Sequence, residues 1–276
     1  MLSNPNYVDY RLQGDGVAVL VLDNPPLNLN ALPTLRLLRQ HVAQMADDAR
    51  VRCVVVTGTG ERAFCAGSDV HEFQAVMDDV VARKLRLENE AFNGLAELPV
   101  PVIAALNGTA LGGGAEIALA CDLRIMAADA RIGFPEVKLG VFPGSGGAFR
   151  LPRLIGSARA FELLYTGDLI DADAALRIGL VNRVVPQAEV LPTALALAAR
   201  LAAGPALALS MIRRAVREAG QQSTAQAIAQ SLADSDAVFK GPDVVEGVRA
   251  FFEKRPAKFT AARHAVRRPA KNGEQS

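Results

Sequence analysis

Two glutamates and a run of glycines stand close together in this chain. Gly112, Gly113 and Gly114 follow the apolar stretch "VIAALNGTAL" and precede "AEIALA", which carries Glu116. Glu136 comes twenty residues later, after Phe134 and Pro135. A carboxylate inside an apolar helix is costly unless it is paired or used. Two carboxylates beside one reaction centre suit general acid–base work on a carbon activated by a carbonyl, and burial raises the pKa of both. Each also has an ordinary reading. Glu116 could pair with the nearby Arg124, and Glu136 could be a solvated loop carboxylate.

The glycines add a second function. A helix start carries N–H groups without intrahelical partners and the positive end of the helix dipole. Glycines let a ligand approach those groups without interference from Cβ. The spot fits a carbonyl oxygen that becomes negative during reaction; the alternative is a tight turn packed on a neighbouring backbone. No GK[ST] follows, so this is not a phosphate-binding P-loop, and the GxGxxG dinucleotide pattern is absent. A second turn with small residues, Ala66, Gly67 and Ser68 in "RAFCAGSDVHEF", directly follows another strand. Two such turns would supply two donors to one oxyanion. Ser68 as a nucleophile is disfavoured, because no GxSxG elbow is present and no histidine is tied to it by a motif.

The elements that must hold these turns are short β-rich runs alternating with helical patterns. "VAVLVLD", stopped by Asn24, Pro25 and Pro26, then "VRCVVVTG", "VPVIAALNG", "CDLRIMAA" and "LVNRVV" read as strands. A helix from Pro33 places Leu35, Leu38, Val42 and Met45 on one face. Residues 74–98 read as helix or loop plus helix, with Met77, Val80, Val81, Phe92 and Leu95 as core positions. Alternation of this kind implies βαβ-type units with buried parallel pairing. After about Leu191 the chain becomes Ala/Leu-rich and helical, with Ile228 and Leu232 at i, i+4. The expected organisation is a core domain over 1–195, a helical region over 196–260, and a short basic disordered tail over 261–276.

Composition limits the partners. Lys and Arg number 30 against 29 Asp and Glu, a net charge of +1, so no global electrostatic case for nucleic acid exists. Cys53, Cys65 and Cys121 form no metal-binding spacing and no disulfide framework, which fits a reducing cytoplasm. The N-terminal stretch has no basic-then-apolar leader, and no apolar run approaches a membrane span.

Longer segments carry a resemblance: "NPPLNLNAL", "AFCAGSDVHEF", "ALNGTALGGGAEIALACDLRIMAADARIGFPEVKLGVFPGSGG", "RLPRLIGSARAFELLYTGDLIDADAALRIGLVNRVVP" and "EGVRAFFEKRPAKF". Together they span about residues 10–260, and the chain resembles the enoyl-CoA hydratase/isomerase, or crotonase, superfamily. The resemblance implies an α/β fold, a crotonase-like spiral of ββα units with a C-terminal helical oligomerisation region, assembled as a trimer or a dimer of trimers. It implies an acyl-CoA thioester substrate whose oxygen sits between the backbone N–H groups of Ser68 and Gly113. It places Glu116 and Glu136 on the two glutamates of the family's hydratases; isomerases often keep only the second. It implies no metal and no cofactor beyond the coenzyme A of the substrate, and no membrane or nucleic-acid partner. Substrate contacts are expected at Arg62, Ala66, Gly67, Asp69, Val70 and Gly112, with Lys254 reaching the coenzyme from a neighbouring subunit. His71 is expected at the pocket entrance, and His41 and His264 at the surface. Many hydratases have alanine where this chain has Ser68, so its hydroxyl is expected to touch the thioester or a polar acyl group. The expected activity is hydration of a 2-enoyl-CoA. The alternatives are a Δ3-Δ2-enoyl-CoA isomerase, another crotonase reaction on a polar, aromatic or alicyclic acyl-CoA, or a non-catalytic acyl-CoA or RNA-associated scaffold.

Overall fold

The computed structural model describes residues 7–260. The expected tail over 261–276, and His264 with it, lie outside them. Ten strands occur among the described residues: Tyr7–Leu12 (β1), Val17–Asp23 (β2), Cys53–Gly58 (β3), Ala63–Cys65 (β4), Val102–Leu106 (β5), Thr109–Leu111 (β6), Leu123–Ala127 (β7), Arg131–Gly133 (β8), Leu169–Asp171 (β9) and Arg183–Val185 (β10). The helices are Leu32–Asp47 (α1), Phe73–Val76 (α2), Arg86–Glu97 (α3), Gly113–Ala120 (α4), Gly147–Ile155 (α5), Ser157–Thr166 (α6), Ala172–Arg177 (α7), Val190–Ala202 (α8), Ala206–Glu218 (α9), Thr224–Phe239 (α10) and Pro242–Phe252 (α11).

The strands form two sheets. The larger runs β1-β2-β3-β5-β7-β10 and is parallel except for the β1–β2 pair. Every residue of β3 and β5 is buried, as expected for apolar central strands of a covered parallel sheet. The smaller sheet runs β4-β6-β8-β9, with β4, β6 and β8 mutually parallel. Each of its strands has three residues. The chain alternates between the sheets: β3 is followed by β4, β5 by β6 and β7 by β8, each pair then leading into a helical segment or turn. That repetition is the spiral of ββα units.

All five strands expected from the sequence lie in the larger sheet. The smaller sheet was not anticipated, because three residues are too few to show a period. The apolar stretch "VIAALNGTAL" ahead of the glycines holds two strands. It breaks at Asn107 and Gly108, so β5 and β6 belong to different sheets.

Helix α1 buries Leu35, Leu38, Val42 and Met45 as its pattern predicts. The segment before α3 departs from expectation. Met77 and Val81 are exposed, whereas Val76, Lys84 and Glu88 are buried. The chain there passes through a 3₁₀ turn (Met77–Asp79) and a π turn (Val81–Leu85), which change the phase of the helix surface. Helix α8 runs across the expected 195/196 boundary. It lies on β2, β3, β5 and β7 and buries Ala194, Ala198 and Ala202 in the main core. The helices beyond it are tied back by Arg213 and Arg217 of α9, each 2.7 Å from an Asp122 oxygen. Among the described residues no single helix is long and apolar enough to cross a membrane.

Candidate active site

The candidate site forms where three adjacent parallel strands of the smaller sheet end. β4 ends at Cys65 and leads into residues 66–68; β6 ends at Leu111 and leads into Gly112 and Gly113; β8 ends at Gly133 and leads through Phe134 and Pro135 to Glu136. Parallel neighbours end on the same side, so three turns far apart in the chain converge.

The turns meet backbone to backbone. Gly67 (φ +96°) and Gly112 (φ +50°) hold left-handed conformations that disfavour a side chain. A Cβ on Gly114 would stand 2.1 Å from the Cys65 carbonyl oxygen. A Cβ on Gly67 would stand 3.7 Å from the Gly113 nitrogen, and one on Gly113 would stand 3.8 Å from the Ser68 nitrogen. The two proposed donors are therefore neighbours. Neither N–H donates to a carbonyl or side chain among the described residues. Close packing and free donors, posed as alternatives by the sequence, coexist: Gly114 meets the backbone of β4 while Gly113 leaves its N–H open.

Glu116 is 3% exposed, on a helix whose eight residues are all buried. Its Oε1 accepts from the N–H groups of Ser145 and Gly147, both at 2.8 Å. It does not pair with Arg124. That guanidinium donates instead to the carbonyls of Leu180, Ala118, Cys121 and Asp122. Burial pushes the Glu116 carboxyl up to about 8; the Gly147 N–H opposes this, and the charges of Glu136 and Glu88 add to it. Glu136 is half-buried and not a solvated loop carboxylate. Neither of its oxygens receives a hydrogen bond from another described residue. Its Oε1 lies 3.2 Å from where a Cβ on Gly112 would be, beside the glycine turn. Burial pushes it up to about 7, with its own backbone N–H opposing and the Glu88 charge adding.

Ala66, Gly67, Asp69 and Val70 share the turn of Ser68. The Asp69 carboxylate caps that turn, accepting from the His71 N–H at 3.0 Å and lying 2.8 Å from His71 Nδ1. His71, Val70 and Arg62 are exposed, His41 is half-buried with its ring stacked on Tyr10, and Arg62 stands at the opposite end of β4 from Ser68. Lys254 is exposed just after α11, with no ion-pair partner among the described residues. The Ser68 hydroxyl is not left for a ligand: it donates to Glu88 Oε1 at 2.6 Å. Sequence reasoning passed over Glu88, Lys84, Asn30 and Ser145. The one available signal was the pair of charges Lys84 and Glu88 at i, i+4, a spacing equally common on solvated faces.

An α/β spiral that sets two open N–H groups beside two buried carboxylates defines a class of protein suited to an activated acyl carbonyl. The chain belongs to the enoyl-CoA hydratase/isomerase family, whose model matches residues 13–262. The crotonyl-CoA hydratase of Syntrophomonas wolfei is 41% identical over 249 residues, covering 88% of this chain and 94% of that protein. The short-chain-enoyl-CoA hydratase of Clostridium acetobutylicum is 40% identical over 247 residues, covering 88% and 94%. The crystal structure of an enoyl-CoA hydratase from Bacillus anthracis superposes with a TM-score of 0.89 at 35% identity, covering 92% of this chain and 99% of that one.

Proposed function

We propose that this chain is an enoyl-CoA hydratase that adds water across the C2–C3 double bond of a short- or medium-chain 2-enoyl-CoA. The observation that carries this reading is the unequal state of two buried carboxylates beside one glycine turn. Two N–H donors stabilise charge on Glu116, whereas the Glu136 oxygens have none. The pair is coupled and titrates as a unit. The two N–H donors assign Glu116 as the base and Glu136 as the proton carrier, against the deeper burial that raises the Glu116 carboxyl further than that of Glu136.

In this reading the N–H groups of Ser68 and Gly113 receive the thioester oxygen and stabilise the negative charge that builds on it. Water lies between the two carboxyls. Glu116 takes one of its protons as the oxygen bonds to C3, and the C2–C3 π electrons move onto the thioester as an enolate. Glu136 then protonates C2 as the enolate collapses. No redox change occurs, and this chemistry requires no metal and no cofactor beyond the substrate's coenzyme A.

The turn of Ala66, Gly67, Asp69 and Val70, with Gly112 and the exposed Arg62, is assigned to the coenzyme and thioester, and Lys254 to the coenzyme of a neighbouring subunit. The chain would act as a trimer or dimer of trimers. The three free, buried cysteines fit a reducing cytoplasm. The test is loss of the enoyl-thioester absorbance on adding crotonyl-CoA, extended to a panel of longer and branched 2-enoyl-CoA and 3-enoyl-CoA thioesters. Hydration that is lost in Glu116→Gln supports the reading. Double-bond migration without hydration, retained in Glu116→Gln, would replace it with an isomerase.

A further inference from the structure

A third carboxylate lies behind the pair. Glu88, in the first turn of α3, is 3% exposed. One of its oxygens accepts from Ser68 Oγ at 2.6 Å and the other from Ser145 Oγ at 3.0 Å. Ser68 also carries one of the two open N–H groups, and Ser145 donates one of the two backbone bonds that clamp Glu116. One carboxylate thus joins the turn that receives the substrate oxygen to the turn that holds the base.

The bridge is itself anchored. Lys84 is 1% exposed and lies 3.9 Å from Glu88 Oε1. Its ammonium also donates to the Asn30 carbonyl and to Glu72 Oε2, both at 2.9 Å. Glu72 in turn accepts from the Leu32 N–H at the start of α1. Two carboxylates therefore share one ammonium, and the cluster keeps an excess negative charge. Two further carboxyls add to it and one cation opposes it. Glu116 faces it from α4 and Glu136 from the turn after β8. The Cys65 thiol is pushed up to about 12 by burial and stays neutral. Arg39 of α1 is paired with Glu90, whereas Arg150 of α5, held by the neutral Asn93 amide and the Ser145 carbonyl, keeps its charge and opposes part of the excess. A buried ion cluster of this kind is a weak source of stability, since well-packed apolar residues usually serve as well. Its placement against both halves of the site points to another purpose.

We propose that Glu88 is a positioning residue for hydration, holding the Ser68 turn and the Ser145 turn at a fixed separation through its two serine bridges. The proposal rests on the hydratase reading. It is particular to a chain with serine at position 68, because alanine has no hydroxyl to make the first bridge. Through its charge, Glu88 also helps to keep the proton that the Glu116–Glu136 pair needs at neutral pH.

Three variants test it, each read by crotonyl-CoA hydration over a pH series together with thermal unfolding. Glu88→Gln keeps the size and a hydrogen-bonding head but removes the charge. The kcat/KM profile should move to lower pH by roughly one unit, the effect expected of one like charge removed nearby. Ser68→Ala and Ser145→Ala each keep the backbone N–H and remove one bridge. Each should lower kcat by about 3–10-fold, the scale of one net hydrogen bond, with KM within about twofold of wild type. In a Glu88→Ala background Ser68→Ala should cost nothing further, because the bridge is already gone. An unshifted profile in Glu88→Gln, or full additivity of Ser68→Ala with Glu88→Ala, overturns the proposal and leaves hydration standing. If the Glu88 variants do not fold, wild-type kcat in both serine variants overturns it. A wild-type chain that hydrates no member of the enoyl-CoA panel removes the hydratase reading and the proposal together.

Discussion

The Gly147 N–H lies 2.8 Å from Glu116 Oε1, so a turn thirty-one residues away in the chain fixes the rotamer of a glutamate buried in α4. With Ser145 making the same bond, that oxygen is held as an anion would be held in an oxyanion hole. Glu136 has no such donors. Glu116→Gln keeps an oxygen for both N–H groups and loses only the ionisable carboxyl. Glu116→Gln and Glu136→Gln should each lower kcat by about 10²–10⁴-fold, the range for a general acid or base, while coenzyme A binding stays nearly intact. Steady-state kinetics beside calorimetric titration with coenzyme A would check this. Near wild-type turnover in either variant would exclude the two-carboxylate mechanism.

The raised carboxyls set a pH dependence of stability. Their folded pKa values, about 8 and about 7, exceed the ordinary glutamate value of 4.5. Between those limits the folded state binds more protons than the unfolded state. Stability from these sites is therefore complete below about pH 4.5 and declines as pH rises toward 7 and 8. Glu136→Gln cannot ionise there. Its melting temperature relative to wild type should be higher at pH 8 than at pH 5. Differential scanning calorimetry at the two pH values decides it, and a difference of the opposite sign would contradict the burial of Glu136.

Glycines 113 and 114 should separate by their contacts. Gly114→Ala forces a Cβ to within 2.1 Å of the Cys65 carbonyl, a backbone atom with no room to yield. It should lower the melting temperature by roughly 3–10 °C, the equivalent of ordinary overpacking in a domain of this size. Gly113→Ala comes closer than van der Waals contact only to the Asn30 Nδ2 group, at 2.8 Å, the end of a side chain rather than backbone. Its larger effect should be on kcat/KM, as part of the ~2.7–4 kcal/mol that a lost oxyanion donor costs. Equal losses of stability in both variants would show that Gly113 serves packing alone.

The helices after α8 expose a large apolar surface. Ile212 and Val216 of α9, Ile228 and Leu232 of α10, and Val245, Val248, Phe251 and Phe252 of α11 are each more than half exposed. A single chain rarely leaves so many large apolar side chains of neighbouring helices in water. Multi-angle light scattering at micromolar concentration should return three or six chain masses. A single chain mass would remove the trimer and the cross-subunit role of Lys254 with it.

Much of this protein follows from local pattern. Apolar runs long enough to span a covered sheet identified β2, β3, β5 and β7, and the shorter apolar stretch "LVNRVV" identified β10. The 3.6-residue spacing of Leu35, Leu38, Val42 and Met45 identified α1 and its buried face. Glycines ahead of a carboxylate, and the motifs around Glu116 and Glu136, pointed to the candidate site because donor turns and acid–base pairs would need particular residue types at particular places. The tertiary structure decided what no spacing encodes. Three-residue strands carry no period, yet their parallel pairing is what brings Ser68, Gly113 and Glu136 together. The burial of Lys84 and Glu88 was hidden because 3₁₀ and π turns shift the helix phase just before them. The fate of the Ser68 hydroxyl depended on the same segment: its acceptor is twenty residues away in sequence, and only the fold makes them neighbours.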